Sequence, residues 1–210
     1  MYKRQDRKLA SNDLLLLDSG GHYHDGTTDI TRSIAIGTPP KSAVAAYSHV
    51  LQSHIHLAMA KFPEGTNGKQ LDAIARAPLW AAGLDFAHGT GHGVGHVLSV
   101  HEGPASISKR SDVALEAGMV LSNEPGYYQT GDWGIRIENL IVVTPAKQTG
   151  FLEFETITLC PLDRWLIDKT LLVADEIGWI DHYHRAVYEQ LHPHLSPMAK
   201  SWLEAACRQL

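Results

Sequence analysis

The apolar positions of this chain recur with two periods, one of strands and one of helices. Leu14 to Leu17 form a short apolar run that is broken by Asp18-Ser19-Gly20-Gly21. Thr31 to Ile36 alternate β-formers until Gly37-Thr38-Pro39-Pro40 stops them. These two segments predict the strands of one antiparallel unit, with DSGGHYHDGTTD between them. From Lys41 to Lys61 the residues Val44, Tyr47, Val50, Leu51, Ile55 and Leu57 to Ala58 fall at helical spacing. A second helix is predicted over Lys69 to Ala82, with Gly83 as its stop and Pro78 as a kink. The texture then changes, because glycine occupies positions 89, 91, 93 and 95. That composition opposes a helix and lets backbone approach a ligand, so it reads as strand or loop beside a site. Met119 to Ser122 and Gly134 to Val143 predict further strands, the latter with Arg136 and Glu138 on one face. A strand pair follows within Phe151 to Pro161, and then amphipathic helices over Ala174 to Leu191 and Pro197 to Arg208. The expected class is α/β (α+β): a strongly curved antiparallel sheet, with helices from Lys41 to Ala82 and after Ala174 on its outside.

Composition narrows the function. The 210 residues, 44% of them apolar, suit one compact domain spanning 1–210. A net charge of -5 without blocks of like charge offers no footprint for nucleic acid or an anionic membrane, and favours a small diffusing substrate. Cys160 and Cys207 lie outside any CxxC pattern, so neither a disulfide framework nor a thiolate metal site is indicated, and a reducing compartment is expected. No apolar run approaches the roughly 20 residues needed to span a bilayer, and MYKRQDRKLASND has no signal-type apolar stretch. A cytoplasmic location follows as the expectation. Of the thirteen histidines, those at 182, 184, 192 and 194 sit in a polar region and read as solvated.

The chemistry is carried by acids at strand ends. Asp18 and Asp29 border the two strands of the first unit and can be folded toward one point, although each alone is equally a turn residue beside Ser and Gly. Glu124 follows a strand in SNEPGYY, and Glu138 lies in an apolar strand, where Arg136 can serve it as an ordinary ion pair. Taken together, four carboxylates gathered with a histidine are hard to explain as structure, because burying several anions is costly without cations. Two divalent ions carry the matching charge. With neutral His92 as a fifth ligand, the set describes a hydrolytic two-metal site. Oxygen-rich ligation with one imidazole and no thiolate favours manganese, cobalt or zinc.

The segments DSGGHYHDGTTDITR, FAHGTGHGVGHVLSVHEGP, NEPGYY and GIRIENLIVV resemble, in order and spacing, the signature segments of the Xaa-Pro aminopeptidases (aminopeptidase P). These belong to the pita-bread metallopeptidase family, with methionine aminopeptidases, prolidases and creatinase. The resemblance runs from about Asn12 to the C-terminus and implies the C-terminal catalytic domain of that fold, truncated at its start. It implies Asp18 and Asp29 on one metal, with Asp29 also bridging, His92 and Glu124 on the other, and Glu138 bridging both. His88 and His101 match the two substrate-side histidines, and Glu124 matches the carboxylate that accepts a proton from the metal-bridging hydroxide. The implied cofactor is a pair of divalent ions, with manganese first and zinc or cobalt as alternatives. The implied substrates are peptides with proline in second position, and a homodimer is compatible with the family.

The remaining polar residues are read more plainly. His96 lies four after His92, but the intervening glycines oppose a helical HxxxH site, so it is taken as structural or exposed. Arg136 is read as a partner to an acidic ligand, and Tyr127 and Tyr128 as packing. Three rivals remain. A prolidase or methionine aminopeptidase would share the ligands, a binding module would have lost some of them, and a creatinase-like, metal-independent hydrolase would have no use for the full set.

Overall fold

The computed structural model describes residues 8–97 and 99–210. Strands β1 (Asp13–Tyr23) and β2 (Gly26–Ile36) pair antiparallel over their whole length, from Asp13 opposite Ile36 to Tyr23 opposite Gly26. The stretch DSGGHYHDGTTD is therefore mostly ladder, closed by a two-residue turn at His24 and Asp25. Asp18 does not end a strand as expected but stands mid-ladder opposite Thr31, and Asp29 stands opposite Gly20. Cross-strand hydrogen bonding overrides the local turn preference of Ser, Gly and Asp here. Gly20 contributes by having no side chain, since a Cβ at that position would meet the Thr28 carbonyl oxygen at 2.5 Å.

Helix α1 (Lys41–Ala58) stops three residues short of the predicted end, and Lys61 instead opens β3 (Lys61–Pro63). Helix α2 (Gly68–Ala81) begins with a capping box, in which the Asn67 side chain accepts from the Gln70 amide while Gln70 reaches back to the Asn67 amide. It accommodates Pro78 and ends before Gly83, whose φ of 73° is the left-handed conformation that a helix stop uses.

The remaining strands are short: β4 (Gly91–His92), β5 (Ser106–Ile107), β6 (Val120–Asn123), β7 (Gly126–Tyr128), β8 (Gly134–Arg136), β9 (Asn139–Pro145) and β10 (Phe151–Thr156). Among the described residues all strand pairings are antiparallel and fall into four sheets, β1-β2, β3-β10-β9-β6, β4-β5 and β7-β8. Single bridges join them, Thr31 to Glu138 and Gly93 to Leu121, so the antiparallel surface is assembled in segments that turn against one another. The strand expected over Gly134 to Val143 breaks at Ile137 and Glu138. The break frees the Glu138 amide to donate to the Thr31 carbonyl at 3.1 Å. The second strand expected before Pro161 does not form, because the carbonyls of Cys160 and Pro161 are taken by the buried Arg32 guanidinium.

Two apolar clusters support this surface. One gathers Tyr47, Val50, Leu51 and Ile55 of α1 with Ile135 and Ile137, and with Ile180 and Val187 of α3 (Ala174–Leu191). The other packs Leu71 and Ala75 of α2 against Leu121, Ile141 and Val143. Helix α4 (Pro197–Ala206) adds Leu203 to the first cluster. His184, expected to be solvated, is fully buried on the inward stripe of α3, where its Nε2 accepts the Leu162 amide at 3.0 Å. Burial and the nearby Arg164 charge push its pKa down to about 4, so it packs as a neutral ring.

Leu51 is completely buried in α1, away from the acidic residues. Leu51→Ala is expected to cost about 2–5 kcal/mol in urea unfolding with an unchanged denaturant slope, by loss of transfer energy plus the cavity left behind.

Candidate metal centre

The site begins with strand parity. Asp18 faces Thr31 across the hairpin, and Asp29 lies two residues from Thr31, so both carboxylates emerge on one face as diagonal neighbours. A second pair arises the same way. The β6-β9 ladder ends with Asn123 opposite Asn139, and just beyond it Glu124 and Glu138, on the reverse face from the asparagines by strand alternation, bring ligand atoms within 4.8 Å of one another and of His92. The two pairs are joined by Thr31, whose hydroxyl donates to Glu138 Oε2 at 2.6 Å.

His92 enters from β4. Gly91 beside it is forced, because a Cβ there would sit 2.0 Å from the Ser122 carbonyl oxygen, and only glycine lets β4 lie against β6. The Ser122 hydroxyl accepts the His92 amide at 3.0 Å and donates to Glu124 Oε1 at 3.2 Å. Nδ1 of His92 lies 2.9 Å from the Gly93 carbonyl, which leaves Nε2 to point between Asp29 Oδ2 and Glu124 Oε1, 3.4 Å from each. Among the described residues, three groups offer ligand atoms within 4.8 Å of one another: Asp18, Asp29 and Glu138; His92, Glu124 and Glu138; and Asp29, His92 and His101. All five residues expected as ligands are thus brought together, with Glu138 common to two groups and Asp29 within reach of both sides.

The placement of the other expected residues differs in detail. His101 is exposed, its ring 4.0 Å from that of His92. That puts it within ligand range as well as beside the site. His88 is engaged on both ring nitrogens, Nδ1 with the Gly89 carbonyl at 2.7 Å and Nε2 with the Tyr128 hydroxyl at 2.8 Å. Tyr128, read from sequence as packing, is therefore part of the site's hydrogen bonding, whereas Tyr127 packs against the core and Trp133 as expected. Arg136 is the partner to acids that its position suggested: it pairs with Asp18, donates to Thr31 Oγ1 at 3.0 Å and to the Tyr128 hydroxyl at 3.2 Å, and lies 3.7 Å from Glu124. His96 is exposed and in none of the three groups. A groove of about 400 Å³ between residues 160–165 and α4 is lined by none of the expected site residues.

The charge on this cluster is poorly solvated. Glu138 is pushed up to about 8, first by burial and then by the Glu124 and Asp29 carboxylates, against the hydrogen bond from Thr31. Glu124 is raised mainly by burial, with His92 and Arg136 opposing. His92 is affected first by burial, which lowers it, but the contacts with Asp29, Gly93 and Glu124 outweigh this and raise it. One arginine is too little positive charge for four carboxylates. Four carboxylates and one imidazole, with burial and mutual repulsion raising Glu138 and Glu124, fit two divalent ions.

Comparison with known proteins gives matches along the chain. The profile of metallopeptidase family M24 matches residues 1–145, and that of the C-terminal region of peptidase M24 matches residues 150–210. The chain is 46% identical over 216 residues to Xaa-Pro aminopeptidase app-1 of Caenorhabditis elegans, covering 98% of this chain and 35% of that protein. It is 47% identical over 207 residues to aminopeptidase P1 of Lotus japonicus, covering 95% of this chain and 32% of that one. A crystal structure of X-prolyl aminopeptidase from C. elegans, described as a cytosolic enzyme with a di-nuclear active site, superposes with a TM-score of 0.94 at 45% identity, over 100% of this chain and 36% of that one. Prolidase from Pyrococcus furiosus superposes with a TM-score of 0.65 at 33% identity, over 72% and 43%. The chain spans about a third of the length of the curated relatives it matches.

The raised carboxyl gives a signed pH dependence for the metal-free chain. Glu138 moves from 4.5 to about 8 on folding, so the folded state holds the extra proton in that window and stability falls as pH rises through it. His92, also raised, acts in the same sense. His54 and His184 start from 6.5 and are lowered to about 3 and about 4, so their contribution is complete above pH 6.5 and is lost only on acidification. Between pH 6.5 and 8 the unfolding free energy from urea titration is therefore expected to fall, by at most about 1.4 kcal/mol per pH unit for each coupled proton. Glu138→Gln should flatten the decline, and a divalent ion should reverse it.

Proposed function

Because the chain belongs to metallopeptidase family M24, we propose that it forms the ligand-bearing catalytic part of an aminopeptidase that removes the N-terminal residue from peptides with proline in second position. The observation that carries this reading is the approach of Glu124, Glu138 and His92 to within 4.8 Å of one another, with Asp29 close to both Glu138 and His92. Asp18 and Asp29 would hold one divalent ion and His92 and Glu124 the other, with Glu138 shared and Asp29 reaching both. Manganese is the first candidate on ligand chemistry, with zinc or cobalt behind it. Bound ions supply Lewis acidity toward the scissile carbonyl and a nucleophile at neutral pH.

The protein's own groups divide the remaining work. Glu124, made more basic by its buried setting, accepts a proton and returns it to the departing proline nitrogen. His101, exposed beside His92, is free to donate to the carbonyl oxygen as negative charge develops there. His88 works from a fixed position. With Nδ1 donating to the Gly89 carbonyl, its Nε2 accepts the Tyr128 hydroxyl, which in turn accepts from Arg136. This chain of bonds fixes the His88 ring relative to Arg136, which also pairs with Asp18. The C. elegans enzyme is described as cytosolic, and we place this chain in the same kind of compartment. No helix among the described residues is long and apolar enough to cross a membrane.

The test pairs metal content with cleavage of an Xaa-Pro-Xaa tripeptide and an Xaa-Pro dipeptide in saturating manganese. The parent should bind two ions and cleave the tripeptide in preference, whereas preference for the dipeptide would make the site a prolidase. His101→Ala should keep both ions and lose about 10²–10³-fold in rate, while Glu138→Ala should lose metal and activity together. Equal metal loss in the two variants would make His101 a ligand, as its distance from Asp29 and His92 allows.

A further inference from the structure

The residues that face away from the acidic cluster are as unusual as those that face it. Asn123 and Asn139, each one residue from a site glutamate, point to the reverse side of β6 and β9 into a buried space. His54 of α1 fills that space, with no exposure to solvent. Its Nδ1 lies 3.1 Å from the Asn123 carbonyl, and its Nε2 lies 3.2 Å from Asn139 Nδ2. The Asn123 side chain donates back to the His54 carbonyl at 2.9 Å. These partners set the tautomer, with Nδ1–H donating to a carbonyl and bare Nε2 accepting an amide N–H. The connection continues through Asn139 Oδ1, which accepts Arg32 Nη2 at 2.7 Å. Arg32 also donates to the carbonyls of Glu138, at 2.7 Å, and of Thr31, at 2.9 Å.

From this geometry we propose that His54 is a positioning residue, the central link of a buried chain Asn123–His54–Asn139–Arg32 that holds Glu124, Glu138 and the Thr31 segment at ligand spacing from behind. The inference rests on the two-metal reading of the cluster. Its physical logic is that like-charged carboxylates held close together across two strands drive those strands apart. β6 and β9 end their register at Asn123 and Asn139, so the ladder holds the last pair from one side only. The imidazole adds a bond to each strand at the position where the ladder stops. Each member of the chain is adjacent to a site residue or to Thr31, or touches one that is. Apolar packing alone would not fix this spacing. Outer contacts of this kind, when removed, lower metal affinity about 10–100-fold.

The experiment is calorimetric titration of the metal-free full chain with Mn²⁺, with thermal unfolding alongside. The parent should bind two ions; failure to bind any would defeat the metal-centre reading itself, whatever the variants do. His54→Leu, which keeps bulk and removes both bonds, should fold yet bind Mn²⁺ about 10–100-fold more weakly. His54→Gln, which can restore a donor and an acceptor, should recover most of that affinity. Leu51→Ala, in the same helix and core, should lower the unfolding temperature and leave affinity unchanged. A folded His54→Leu chain with parental affinity, or a loss matched by Leu51→Ala, would overturn the proposal. Should His54→Leu not fold, Asn139→Ser cuts the same chain one link further on, and parental affinity in that variant would overturn it equally.

Discussion

The arrangement of this molecule turns on the repulsion between Glu124 and Glu138. The end of the β6-β9 ladder brings them close together where water is scarce, and no lysine among the described residues pairs with them. Each would be easier to accommodate alone. The surrounding structure is arranged so that neither can move away: Ser122 and Thr31 hold one oxygen of each, Arg136 balances part of the charge, and the Glu138 backbone is bonded to Thr31. The break between β8 and β9 belongs to the same arrangement. A continuous ladder would have committed the Glu138 amide to a regular strand partner, whereas the bridge to Thr31 docks the β1-β2 hairpin, with its two aspartates, onto the sheet that carries the glutamates.

Strand alternation gives each short segment two jobs. In Asn123-Glu124 and Glu138-Asn139 the acid faces the site and the amide faces the core. Thr31-Arg32 follows the same rule, with the hydroxyl on the site side and the guanidinium buried behind it among carbonyl acceptors. The chemistry of the site and its mechanical support are thus written in adjacent letters, and a slip of one residue in register would exchange them.

This explains what the sequence could and could not disclose. The convergence of the four acids and His92 was legible because a carboxylate in a β context needs a reason, and four of them with a histidine in that order have few reasons. Helix α3 was legible to the residue because its apolar period is unbroken from Ala174 to Leu191. The ladder through DSGGHYHDGTTD was not, because Ser, Gly and Asp are turn residues by local preference and only the partner strand makes them strand. The break at Ile137 and Glu138 was invisible because the alternation runs through it without interruption. Tyr128, His184 and His54 were missed for a different reason. In a helix reading SHVLQSHIHLA, nothing local separates fully buried His54 from half-exposed His49 or exposed His56, and the distinction is made by residues some 69 to 85 positions away.

The hairpin has one more consequence, for the order in which the chain acquires its structure. β1 and β2 are joined by a two-residue turn and pair with each other locally, while the Thr31 to Glu138 contact closes 107 residues of chain. Loop-closure entropy makes the first pairing early and the second late. Asp18 and Asp29 are therefore already side by side on a formed ribbon before the glutamates arrive, and the full crowding of negative charge is postponed to the last docking step. The electrostatic opposition within the site falls mainly on that final closure and its reversal, and only lightly on the collapse of the apolar clusters that precedes it.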